Sequence, residues 1–105
     1  MPHLHIDYSA NLEGDVAFGD LCEALRAEAA QIETFPMAGV RVRAIRVDHY
    51  AMADGDPKHG FVDLSVRLRE GRPQAVKDDA LARLFAVLKA QLEPVMATRS
   101  IAVSA

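Results

Sequence analysis

The chain has 105 residues, half of them hydrophobic and 26% charged, with one cysteine. That length allows one domain with a modest core, and the composition is globular rather than disordered. A formal net charge of −3 argues against nucleic acid or an anionic membrane surface as partner, so an anionic ligand needs a local arginine cluster.

The start, Met1-Pro2-His3-Leu4-His5-Ile6-Asp7-Tyr8, alternates apolar Leu4, Ile6 and Tyr8 with polar His3, His5 and Asp7, which predicts a strand over about 2–8. Turn formers follow from Ser9 to Gly14, then a helix with Asp15 as its expected N-cap. Phe18, Leu21, Leu25, Ala29 and Ile32 recur at three and four, giving that helix one apolar stripe. Pro36 and Gly39 are expected to end it. Val40, Val42, Ile45 and Val47 give a second strand with arginines interleaved, and the imperfect alternation suggests a bulge or burial on both sides. The loop 53–60 is dense in turn residues. Phe61, Val62, Leu64, Val66 and Leu68 make a third strand, and Pro73 suits the first turn of a second helix. Leu81, Leu84, Phe85, Leu88 and Leu92 mark that helix's stripe, with Pro94 near its end. Ile101 and Val103 make a short last strand.

Two rounds of strand–helix–strand, over about 2–48 and 60–104, predict an α/β (α+β) fold occupying 1–105 as one domain. Both helices are expected on one face of a four-stranded sheet. The other face is expected to carry apolar side chains that self-association would cover. No run is long enough to span a membrane, the start lacks a signal-peptide pattern, and the lone Cys22 suits a reducing compartment. The expectation is a cytoplasmic protein.

Pro2 is the chemically distinctive residue. A small second residue permits removal of Met1, which leaves a secondary amine as the chain terminus. Within a chain proline has no basic nitrogen. As a terminus it is a general base, and a strand holds it rigidly. The alternative is that Met-Pro is an ordinary start without meaning. Other candidates are weaker. His3, His5, His49 and His59 match no metal-ligand spacing, so no metal is expected. Cys22 has no activating motif and is expected to be an inert core thiol. Ser9 lacks a nucleophile-elbow context. Asp54-Gly55-Asp56 lacks the spaced ligands of a calcium loop and is expected to be a structural turn.

The segments Pro2-His3-Leu4-His5-Ile6-Asp7-Tyr8-Ser9-Ala10-Asn11-Leu12, Phe35-Pro36-Met37-Ala38-Gly39-Val40-Arg41, Met52-Ala53-Asp54-Gly55 and Gly71-Arg72, in this order and spacing, resemble the 5-carboxymethyl-2-hydroxymuconate delta-isomerases of the tautomerase superfamily. The resemblance implies a duplicated βαβ fold assembled as a homotrimer with the sheets inside. It implies a cofactor-independent keto–enol isomerase in aromatic-compound (homoprotocatechuate) catabolism, with Pro2 as base and no cofactor. The arginines that match those holding substrate carboxylates are Arg41 and Arg72, Arg72 at a carboxylate and Arg41 at the carbonyl–carboxylate end. The expected ligand is a small anionic unsaturated oxo-acid. Family members run on beyond the position of Ala105, so contacts made by such a tail are in question here. Leu4, Ile6, Phe35 and Met37 are candidates for an apolar wall that, with nearby arginines, lowers the pKa of the amine. The alternatives are a tautomerase of a smaller enol-acid such as phenylenolpyruvate, and a non-catalytic trimeric carboxylate-binding protein. For Arg41, Arg43 and Arg46 the competing role is a charged strand edge that resists aggregation. For Arg72 it is an ion pair with Asp78 or Asp79.

Overall fold

The computed structural model describes residues 2–68 and 71–105, with the backbone but not the side chain of Met37. Met1 lies outside the described residues. The elements in chain order are β1 (His3–Ser9), α1 (Phe18–Ala30), β2 (Arg41–Val47), β3 (Gly60–Arg67), α2 (Gln74–Met96) and β4 (Ile101–Ser104), with single 3-10 turns at Ala10–Leu12 and Met37–Gly39. They form one sheet in the order β2-β1-β3-β4. β1 runs parallel to β2, β3 runs parallel to β4, and β1 and β3 join the two βαβ units antiparallel.

Alternation in β1 and β3 decides which side the helices take. Leu4, Ile6, Tyr8, Val62 and Leu64 are buried and form one core with Leu21, Leu25 and Ala29 of α1 and Ala80, Leu84, Leu88 and Leu92 of α2. Leu81 and Phe85 belong to the expected stripe of α2 but are only half-buried, and Ala80 takes the inner position. Tyr8 stacks on Phe18 at 3.6 Å between ring centroids, and its hydroxyl donates to Glu13. Burial, with that hydrogen bond to a carboxylate, pushes the phenol up to about 12. Ser9, fully buried, accepts a hydrogen bond from the Phe61 amide at 3.0 Å and donates to Asn11, whose amide reaches the carbonyl of His59 at 2.8 Å. At Gly60 a Cβ would lie 2.9 Å from Leu12, so the end of β3 needs glycine there to approach the 3-10 turn.

Four expectations change. Asp15 does not cap α1, which starts at Phe18 after an N-cap at Ala17; the Asp15 carboxylate holds Arg99 instead. The helix ends at Ala30, well before Pro36, because the chain then turns through Ile32 and Phe35 to bury both side chains. β2 has no bulge: it pairs with β1 in unbroken register from His3–Arg41 to Ser9–Val47. Its irregular pattern reflects an edge strand, covered on one side only. The face away from the helices is not mainly apolar. By register it carries His3, His5 and Asp7 of β1, Arg41, Arg43 and Ile45 of β2, and Asp63, Ser65 and Arg67 of β3. Among the described residues no helix is long and apolar enough to cross a membrane.

Candidate active site

Pro2 is fully buried where β1 begins, and its carbonyl accepts the Arg41 amide at 3.1 Å. This bond fixes the first residue of β2 beside the first residues of β1. Arg41 itself is exposed, and its guanidinium lies 3.5 Å from the Gly39 carbonyl, a weak contact that leaves most of its donors available. The segment feeding Arg41 is itself anchored: Phe35 is buried, and Gly39 closes a tight turn onto the Pro36 carbonyl at 2.9 Å.

Arg72 comes from the other βαβ unit and grips the same segment. It donates to the Thr34 carbonyl at 2.8 Å and lies over the Phe35 ring, 5.7 Å from its centroid. Asp78 is instead engaged by Gln74. Gly71 has φ of +107° with open space where a Cβ would project. Its contribution is therefore the backbone turn that presents Arg72, rather than a close approach to a ligand. Pro2, Arg41 and Arg72 are thus linked through one short stretch, 34–41. Of the expected apolar wall, Leu4 and Ile6 are taken up by the helix-side core and Phe35 supports Arg72. Met37 lies outside the residues whose side chains are described.

The register adds two residues. His3 pairs with Arg41 on one side and Arg67 on the other, so a row of Arg41, His3 and Arg67 crosses three strands next to Pro2. Burial, followed by the charges of Arg41 and Arg43, lowers the His3 pKa below the usual imidazole value. Arg67 drew no attention in the linear sequence, because only the antiparallel pairing of β1 with β3 brings it to this end.

The remaining candidates go elsewhere. Arg46 pairs with Asp48 at 2.9 Å. His59 bonds Asp54 at 2.9 Å and Ser100 at 3.2 Å, while Asp54 and Asp56 accept backbone amides within their own turn. His3 and His5 stand on the sheet away from that loop, and among the described residues no three His, Cys, Asp or Glu side chains converge as a metal site. Cys22 is half-buried, and burial pushes its thiol pKa up, away from reactivity. A fixed row of cations beside a strand terminus suits binding and polarising a carboxylate-bearing molecule.

Comparison with known proteins identifies relatives of this chain. A curated 5-carboxymethyl-2-hydroxymuconate Delta-isomerase from Escherichia coli is 29% identical over 104 residues, 99% of this chain and 82% of that protein. A crystal structure of a 5-carboxymethyl-2-hydroxymuconate delta-isomerase superposes with a TM-score of 0.93 at 32% identity, covering 99% of this chain and 79% of the other. The corresponding isomerase from Deinococcus radiodurans R1 gives 0.89 at 33% identity, with the same coverage. The family model for 5-carboxymethyl-2-hydroxymuconate isomerase matches residues 2–105. The chain belongs to that isomerase family.

Proposed function

We propose that this protein ketonises 5-carboxymethyl-2-hydroxymuconate in aromatic-compound breakdown, with Pro2, freed by removal of Met1, as the base. The observation that carries the reading is the family match, which begins at Pro2 and runs to Ala105. In this reaction the 2-hydroxyl loses a proton, C2 becomes a ketone, the remaining double bond settles between C3 and C4, and C5 gains a proton. One amine serves both ends, because the charge of the intermediate dienolate is delocalised between them. The amine must be neutral to begin. Apolar surroundings and the neighbouring Arg41 charge would both disfavour its protonated form.

Arg41 binds the carbonyl–carboxylate end and Arg72 a distal carboxylate, each through the planar fork that matches a carboxylate. Their positive charge stabilises the dienolate as it forms. What supports this pairing is their common anchorage on the 34–41 segment. The working unit is a homotrimer in the cytoplasm, an assembly that the family resemblance favours; light scattering of the purified protein checks it.

The test is ultraviolet-monitored ketonisation by untagged protein whose intact mass lacks Met1, with Pro2→Ala alongside. Alanine in second place also permits methionine removal, so the variant isolates the ring amine. A wild-type rate that falls by about 10²–10⁴-fold in Pro2→Ala supports both substrate class and base. Turnover of phenylenolpyruvate alone would move the substrate to smaller enol-acids. No rate on either, or uniform retention of Met1, would leave a carboxylate-binding protein.

A further inference from the structure

The proposed substrate carries three carboxylates, two ending the muconate chain and one ending the carboxymethyl arm. Arg41 and Arg72 answer two of them. We propose that Arg67, with His3 beside it, holds the third, and so sets the preference for a tricarboxylate over a dicarboxylate. This rests on the isomerase reading above.

Three observations lead to Arg67. It shares a row with Arg41 across His3, so their Cα atoms lie two strand spacings apart, roughly 9–10 Å. That is a span suited to two carboxylates of one small molecule. Next, Arg67 is exposed and makes no ion pair among the described residues, whereas Arg26, Arg46, Arg83 and Arg99 each hold a carboxylate. In a chain of net charge −3, cations left uncompensated at one end of one face are available to an anionic ligand. Finally, Nε2 of His3, like that of His5 one pair further along β1, is buried without a hydrogen-bond partner among the described residues. Such an atom costs stability unless something bonds it. The carboxylate held by Arg67 would supply the acceptor where the ring turns to expose that atom.

Arg67 also lines a cleft of about 400 Å³ between β3 and α2, where Lys77 and Asp78 bring one charge of each sign. A purely protective strand-edge charge makes a different prediction, since it would not distinguish between substrates.

The test compares wild type, Arg67→Gln and Arg67→Lys on 5-carboxymethyl-2-hydroxymuconate and on 2-hydroxymuconate, which lacks the arm. Arg67→Gln is expected to lower kcat/KM about 10–100-fold on the tricarboxylate, mainly through KM, and by less than about threefold on the dicarboxylate. Arg67→Lys, which keeps the charge without the fork, is expected to fall between. Equal losses on both substrates, or none, overturn the proposal. If wild type ketonises neither, the isomerase reading fails and the same question passes to calorimetry with tricarballylate against glutarate. Tighter binding of the tricarboxylate that Arg67→Gln abolishes then upholds a third carboxylate position, and indifference to Arg67 overturns it.

Discussion

Along β1 the even residues Leu4, Ile6 and Tyr8 are buried against the helices, while the odd residues His3, His5 and Asp7 stand half-buried on the bare side. The same division runs through β3, where Val62 and Leu64 face the core and Asp63, Ser65 and Arg67 do not. The helix side gathers apolar area, at about 1.5–3 kcal/mol for each fully buried large side chain. The bare side does the reverse. His3 sits between two arginines, and Asp63 is paired directly with Asp7, arrangements that cost stability. The cations lie at the Pro2 end and the two aspartates further along.

If that division holds, substitutions on the two sides separate stability from activity. The largest effect on stability belongs to Leu84, fully buried in the middle of α2. Leu84→Ala is expected to lose about 2–5 kcal/mol in chemical denaturation, with kcat/KM per folded molecule little changed. A large drop in kcat/KM at full folding would break the comparison, because the core would then be shaping the site. Arg72 straddles the two classes. It binds the Thr34 carbonyl and covers Phe35, so Arg72→Ala is expected to cost about 1–2 kcal/mol as well as weakening substrate binding. Arg72→Lys separates the two roles: it keeps charge near Phe35 but loses the fork, so stability should recover more than KM does.

The helix side was the legible one. Periodicity located both helices and all four strands, because burial imposes periods of 2 and 3.6 on the residues that make it. It failed at the ends of α1, where Asp15 looked like a cap but was needed by Arg99, and at β2, where an edge strand imitates a bulged one. Pro2, Arg41 and Arg72 could be picked out because they stand in local segments that match a family. Arg67 could not. Its place beside His3 depends on the antiparallel register of strands more than fifty residues apart, and no local pattern encodes that register. The polarity of the bare face was hidden for the same reason: Arg41, His3 and Arg67 read as scattered charges until the sheet lines them up.

The smallest expected effect tests the bare face without a ligand. The groups facing His3 are Arg41 and Arg43 on β2, Arg67 on β3, and His5 two residues along β1. No carboxylate pairs with it in that row. Burial, with the charges of Arg41 and Arg43, holds its pKa below 6.5 in the folded chain. The unfolded chain therefore takes up this proton at higher pH than the native one, so unfolding binds protons and stability falls as pH drops. The native contribution is complete above about 6.5 and declines through the window below it, down to the lowered native value. His3→Gln removes that proton from both states. In thermal melts between pH 7.5 and 5.0, a span on the order of one unit or more either side of the usual imidazole value, wild type is expected to lose stability more steeply than the variant as the pH falls. Addition of tricarballylate supplies the negative charge that the row lacks and should shrink the wild-type decline, since a carboxylate beside His3 raises its pKa again. A decline of equal slope in His3→Gln would assign the acid sensitivity to other groups and remove the evidence that the row is electrostatically strained.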